Sequence, residues 1–227
     1  MGRGCMRAKH RPRLFLLALL AWTMPAWANP AAASDLSVTV LDAGGAPVAD
    51  AVVTVRAVDR PAGTAPSPVR RTIDQQALAF IPYLEVFRPG DEVVFRNSDR
   101  TRHHVYSFSP VKSFEFVLAP RESSPPQPLP DTGVVAVGCN IHDQMITYLY
   151  VTDAPWFART GADGKARFDG LRAGDYEVRA WQPRLRPGRA EPMQEVGLGT
   201  TGDKALVFSL ALLPDPRRQS GREHVHY

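Results

Sequence analysis

A thiol, an imidazole and a thioether recur at every third residue of one short stretch, as Cys139, His142 and Met145. Two further imidazoles, His103 and His104, stand side by side upstream. Thiolate and thioether sulfur favour Cu(I), and imidazole also suits Cu(II), so a set of one cysteine, two histidines and a weak methionine ligand can hold copper in both states. The residues therefore predict a mononuclear copper site that the rest of the chain has to assemble.

Each of these residues also has an ordinary structural interpretation. A free cysteine is often a buried inert thiol, and a methionine at the start of a strand is often a core residue. Because side chains alternate along a strand, His103 and His104 cannot both face the site. We interpret Cys139, His142, Met145 and one of these two histidines as the ligands.

The N-terminus has the pattern of a secretory signal peptide. Basic residues precede an apolar run at residues 14–22, and the small-x-small triplet Ala26-Trp27-Ala28 follows, which predicts cleavage before Asn29. The run is shorter than the roughly 20 residues that a membrane-spanning helix needs. We therefore expect a signal peptide at residues 1–28, a periplasmic protein, and no membrane anchor after cleavage.

Removal of this leader changes the charge and cysteine balance. The remaining chain has 22 Lys and Arg residues against 23 Asp and Glu residues, so the basic pI of about 9.3 comes largely from the leader. We see no dense basic patch and expect no nucleic-acid partner. Cys139 is then the single cysteine, which in an exported protein points to a free thiol, an intermolecular bridge or a metal ligand.

Short alternating apolar segments, separated by Gly, Pro, Asp and Asn, run through the whole chain, and helical periodicity is nearly absent. This pattern is typical of an all-β sandwich or barrel. Residues 36–41 and 51–56 both alternate around a Gly- and Pro-containing turn at residues 42–47, so we predict that they form a β-hairpin.

The central part of the chain resembles plastocyanin-like cupredoxins, and its Cys-x2-His-x2-Met spacing is similar to that of amicyanin. The runs His-His-Val-Tyr-Ser-Phe-Ser and Gly-Cys-Asn-Ile-His-Asp-x-Met resemble exported cupredoxin-like proteins labelled as methylamine-utilisation proteins. The resemblance implies a Greek-key sandwich with type 1 copper bound by His103, Cys139, His142 and Met145. It places His104 where plastocyanins usually have a supporting asparagine, so His104 is either an alternative ligand or a hydrogen-bonding brace behind the ligands.

The two flanks resemble the halves of a carboxypeptidase-regulatory or transthyretin-like β-sandwich, at residues 38–55 and 160–176. We therefore expect a discontinuous sandwich at residues 35–69 and 154–213, an inserted cupredoxin domain at residues 70–153 and a disordered tail at residues 214–227. In the rival layout, residues 35–58 are edge strands of the cupredoxin.

These expectations favour an exported one-electron carrier over an enzyme. Its partner would be another exported redox protein, such as a cytochrome c or a dehydrogenase. Two other functions stay open: a periplasmic copper chaperone or sensor, and a non-redox carbohydrate- or protein-binding β-sandwich module.

Overall fold

The computed structural model describes residues 1–2, 33–61, 63, 66–188 and 190–218. The predicted signal peptide, apart from its first two residues, lies outside these ranges. Within them the chain is built from strands and one 3-10 turn without an α-helix, so the predicted all-β class is confirmed. None of the helices searched in this part of the chain is long and apolar enough to cross a membrane.

Sixteen strands and the 3-10 turn follow one another along the chain. They are β1 Ala33–Asp42, β2 Val52–Ala57, β3 Arg70–Gln76, β4 Ala79–Ile81, β5 Leu84–Phe87, β6 Glu92–Asn97, β7 His103–Ser109, β8 Lys112–Leu118, β9 Gln127–Pro128, β10 Gly133–Cys139, β11 Ile146–Val151, β12 Trp156–Arg159, β13 Lys165–Arg172, β14 Gly174–Trp181, β15 Met193–Leu198, β16 Lys204–Leu210 and the turn Pro216–Arg218.

Strands from the two ends of the chain form one sandwich, which we call the outer sandwich. One of its sheets has the order β13-β1-β16 and the other the order β12-β2-β14-β15. Alternate residues of β1 point into the core, where Leu36, Val38 and Val40 are fully buried beside Phe168 and Tyr176. Period-two burial is the pattern that the sequence predicts for a strand with one face on the core.

The predicted hairpin between residues 36–41 and 51–56 is wrong. β1 pairs with β13 and β16, whereas β2 pairs with β12 and β14 in the other sheet. The turn after β1 keeps one isolated bridge, between Leu41 and Pro47, and then crosses the core. Alternation shows that each strand buries one face, and two strands satisfy this as well by facing each other across a core as by pairing.

Strands from the middle of the chain form the second sandwich, which we call the inner sandwich. Its sheets have the orders β4-β3-β6-β9 and β5-β11-β10-β7-β8. Phe95, Val105, Val137 and Leu149 are fully buried between them, in the same hydrophobic cluster as Cys139. The strands that carry the predicted ligands therefore belong to a sheet with a closely packed inner face.

A third hydrophobic cluster joins the two sandwiches. Val52 of β2 is fully buried against Leu84 and Tyr150 of the inner sandwich, and Trp181 of β14 packs on the same cluster. The ring centroids of Trp181 and Tyr150 are 5.0 Å apart. Since β2 is buried on both faces, it contributes to both the outer core and this junction.

The start of the predicted tail is structured. Residues 214–218 include the 3-10 turn, and the guanidinium carbon of Arg217 lies 3.8 Å from the ring centroid of Tyr83. Arg217 also donates to Asp50 at 3.2 Å. Residues 219–227 lie outside the described ranges, and disorder there stays a prediction.

Candidate metal centre

Two neighbouring strands of the inner sandwich bring the first ligands together. β7 begins at His103 and β10 ends at Cys139, and their antiparallel register places Cys139 opposite Val105. His103, Val105 and Cys139 are all buried, so they share the face that packs on the core. Side-chain alternation then directs His104 to the opposite face.

The loop after Cys139 is short and closed by two backbone hydrogen bonds. The Cys139 N–H donates to the Met145 carbonyl at 3.2 Å, and the Met145 N–H donates to the His142 carbonyl at 3.0 Å. These bonds fix the two ends of the loop relative to each other. His142 is therefore carried back toward Cys139 instead of extending into solvent.

One cysteine and two imidazoles converge at this loop. The Nδ1 atoms of His103 and His142 each lie 3.7 Å from the Sγ of Cys139, and the ring centroids are 5.1 Å apart. One ligand atom from each of the three residues lies within 4.8 Å of the others. His103 and Cys139 are buried, and His142 is half-buried. The group thus meets solvent through the imidazole of His142.

The spacing and chemistry of these atoms fit a metal ion. Bonds of about 2.3 Å to sulfur and about 2.0 Å to nitrogen, as zinc makes, span a 3.7 Å separation at an angle of about 115–120°. Such an angle is what a roughly trigonal set of one thiolate and two imidazoles requires. The structure therefore contains a possible His-Cys-His metal site.

The two other predicted site residues have different surroundings. Met145 has only 1% of its surface exposed and belongs to the hydrophobic cluster that includes Cys139. The ring of His104 lies outside the three-residue group. Its Nε2 is 2.7 Å from Glu115 Oε1, and its Nδ1 is 3.4 Å from Asn140 Nδ2. The His104 carbonyl also accepts the Asn140 N–H at 3.0 Å, so His104 contacts the residue that follows Cys139 on two sides.

Asp99 is a site residue that the sequence did not reveal. Its Oδ2 lies 2.9 Å from the Nε2 of His103, while its carboxylate also accepts the N–H groups of Ala77 at 2.7 Å and Leu78 at 3.1 Å. Since a carboxylate only accepts, Nε2 of a neutral His103 carries the proton and Nδ1 keeps its lone pair. That lone pair is the one directed to the Cys139 side.

The charge of Asp99 is secured by its hydrogen bonds. Desolvation by burial raises its pKa, but the N–H of Leu78, the ring of His103 and the N–H of Ala77 together outweigh it and hold the pKa of this carboxyl below its usual value. The pattern of carboxylate, imidazole and metal is common at metal sites, where the carboxylate fixes the ring and raises its basicity.

Asn97 shapes the turn that presents Asp99. Its buried side chain donates to the carbonyls of Thr101 at 2.8 Å and Leu118 at 3.0 Å, and accepts the N–H of Asp99 at 3.0 Å. The sequence shows only a polar turn before His103. The contact between Asp99 and His103 depends on how Asn97 folds that turn, which spacing alone does not report.

Comparisons with known proteins give structural likenesses at low similarity. No protein-family model and no curated protein matches the chain. A purple cupredoxin from Nitrosopumilus maritimus is 18% identical with a TM-score of 0.32, over 36% of this chain and 98% of that one. A Cu(I) variant of amicyanin is 14% identical with a TM-score of 0.34, over 44% of this chain and 98% of that one. A copper-containing nitrite reductase from Thermus scotoductus is 22% identical with a TM-score of 0.35, and this chain spans 25% of its length.

Proposed function

We propose that the protein binds one copper ion and carries single electrons. The observation that carries this proposal is the placement of two imidazole Nδ1 atoms at 3.7 Å from one buried cysteine sulfur. Copper bound by His103, Cys139 and His142 would supply a one-electron couple, and Met145 is the candidate for a weak axial ligand.

The surrounding residues favour reversible electron transfer because they hold the ligands in one geometry. Asp99 fixes the ring of His103, and the backbone bonds of Met145 close the loop on Cys139. A rigid set of ligands moves little when the oxidation state changes. His142, the half-buried ligand, is the proposed point of electron exit.

A carrier fits this ligand set better than an enzyme. Catalytic metal sites keep an open position for water or substrate. Here Met145 would fill the fourth position, and His103 and Cys139 are buried. The proposed partner is an exported redox protein such as a cytochrome c or a dehydrogenase. The proposed periplasmic location rests on the pattern of residues 1–28.

A copper chaperone or sensor is a second candidate, supported by the exposure of the ligand loop. Asn140, Ile141, Asp143 and Gln144 are all exposed, and Ile141 has 52% of its surface in solvent. A loop that few contacts cover can open to pass a metal to another protein. In this function His104 would brace the loop through Asn140.

A copper titration separates these functions. The purified protein is titrated with Cu(II) while the visible spectrum is recorded, and cyclic voltammetry follows, with Cys139→Ser as the matched variant. An intense thiolate-to-copper band with a reversible couple, both lost in Cys139→Ser, is the result expected for the carrier. Stoichiometric copper without the band or the couple would favour the chaperone. Absence of stoichiometric copper would refute both.

We also propose that residues 70–153 form an inserted domain within a discontinuous sandwich of residues 35–69 and 154–213. This layout is supported by strand pairing, since β1 and β2 pair with β12, β13, β14 and β16 but not with the inner strands described here. Residues 70–153 expressed alone should then bind one copper ion with the spectrum of the whole chain. An unfolded or copper-free fragment would favour the rival layout.

A further inference from the structure

A basic cleft lies at the junction of the two sandwiches, away from the metal centre. It has a volume of about 700 Å³, and its described lining includes Arg60, Arg88, Arg172, Trp156 and Tyr176. The cleft is at the C-terminal end of β11, and the ligand loop precedes the same strand. Six residues at about 3.3 Å each separate the two by about 20 Å.

The cleft has positive charge that the protein itself does not balance. Asp153 is the one acidic residue in the described lining, and it is paired with Arg56 at 2.5 Å. The exposed guanidinium of Arg172 has no hydrogen bond or ion pair with any residue of the described ranges. An unpaired guanidinium beside an apolar surface is a ready partner for a carboxylate or sulfate.

Arg60 is held in a fixed position at the wall of the cleft. Its Nη2 donates to the Ala173 carbonyl and to the Tyr176 hydroxyl, both at 3.2 Å. Gly174, with a φ of 145°, leaves room for this group, because a Cβ there would lie 2.7 Å from the same Nη2. The contacts use Nη2 and, through Asp59, Nε, so Nη1 remains available to a ligand.

Arg88 has a structural role in the same cleft. Its two terminal nitrogens donate to the carbonyls of Ala154 and Pro155, each at 3.1 Å, and its guanidinium carbon lies 4.8 Å from the ring centroid of Phe157. These bonds fasten the segment that connects the two sandwiches. The cleft is therefore built on a fixed connection.

An exposed aromatic ring lies beside these charges. Trp156 has 38% of its surface in solvent, and its ring centroid is 5.9 Å from that of Tyr176. A tryptophan face that is left open next to arginines suits a ligand ring with an apolar face and a negative substituent. The volume lies in the range of sites that hold ligands of several rings' size.

We propose that this cleft binds an acidic sugar chain. One sugar ring stacks its apolar C–H face on Trp156, and its carboxylate accepts hydrogen bonds from Arg172 and from Nη1 of Arg60. The alternation of hydroxyls and carboxylates along such a chain matches a cleft with several N–H donors and a ring face. This inference does not depend on metal binding, since none of the proposed ligands lines the cleft.

Titration calorimetry of the full chain with tetragalacturonate tests the proposal, with neutral maltotetraose and benzoate as comparison ligands. Tetragalacturonate should bind, and its dissociation constant should rise with salt because the contact is charged. Maltotetraose binding as tightly would overturn the role of the arginines. Benzoate binding as tightly would overturn the assignment to a sugar chain, and no binding of tetragalacturonate would overturn the proposal itself.

Variants locate the site. Arg172→Gln should weaken tetragalacturonate about tenfold or more, because it removes a charge-assisted contact, and Trp156→Ala should weaken it similarly. Arg186→Gln, at an exposed arginine outside the cleft, is the matched control and should bind normally. Equal affinity of Arg172→Gln and Arg186→Gln would place any binding elsewhere. Repeating the titration on Cys139→Ser keeps this result separate from the copper site.

Discussion

Replacement of Asp99 by asparagine is the sharpest test of how the protein tunes its proposed copper site. The carboxylate lies 2.9 Å from Nε2 of His103, and a copper ion would bind at Nδ1 of the same ring. Asparagine keeps the shape of the side chain but removes the negative charge. Its amide also cannot accept both N–H groups that Ala77 and Leu78 now donate to the carboxylate.

The size of the effect follows from distance and dielectric. An imidazole between carboxylate and metal separates the two charges by about 6–7 Å, which at an effective dielectric of about 20 corresponds to about 2.5 kcal/mol. For one electron that energy equals about 100 mV. Loss of the negative charge favours Cu(I) over Cu(II), so the potential should rise. Since 13% of the Asp99 side chain is exposed, we expect solvent to reduce the rise to about 50–100 mV.

Voltammetry and a Cu(II) competition assay measure the two consequences. Asp99→Asn should raise the potential and weaken Cu(II) binding about 10- to 100-fold, the usual cost of removing a carboxylate that orients a ligand histidine. Asp143→Asn is the matched control, because it removes the same charge from an exposed position on the ligand loop. Equal potentials for the two variants would refute the reasoning, since the buried contact would then have no particular effect.

Three further predictions concern packing and charge. Phe95→Ala should destabilise the fold by about 3–5 kcal/mol in chemical denaturation, since the fully buried ring packs on three other phenylalanines. Gly138→Ala should cost about 1 kcal/mol and shift the copper spectrum, because its Cβ would lie 3.0 Å from the ring of Tyr106. Burial raises the pKa of Glu191 against the opposing effects of Tyr150 and Arg179, so the folded state binds a proton more tightly there. Stability should therefore fall as pH rises above about 4.5, and Glu191→Gln should remove that part of the fall.

Each of these predictions has a contrary outcome. Phe108, which is 72% exposed, supplies the control for Phe95, and similar losses for both alanine variants would contradict the assigned core. An unchanged spectrum and stability in Gly138→Ala would mean that the ring of Tyr106 moves without cost. A steeper pH dependence in Glu191→Gln than in the parent would contradict the direction of the Glu191 pKa.

Strand prediction succeeds where the apolar alternation is local. β1 and β7 bury every second residue, and the sequence shows this directly. β3 escapes prediction because its inward positions are Ile73 and Gln75, so only one of them is apolar. Gln75 is fully buried and donates to the Arg96 carbonyl at 3.3 Å, a contact that no single-strand pattern reveals.

The site divides in the same way between local and distant information. Cys139, His142 and Met145 are close in sequence, so their spacing alone suggests a common site. The choice between His103 and His104 needs the register of β7 against β10, which sets the face that each histidine occupies. Asp99 needs more still, because its position depends on hydrogen bonds from a buried Asn97 to Thr101 and Leu118.

The two ends of β11 suggest why a copper domain would be joined to a second sandwich. The ligand loop leads into this strand, and the connection held by Arg88 follows it, so the metal centre and the basic cleft have a fixed separation. The buried cluster around Leu84, Tyr150 and Trp181 prevents the sandwiches from rotating freely. If the cleft holds an acidic polymer, an electron carrier would be retained there while His142 stays about 20 Å away and open to its redox partner.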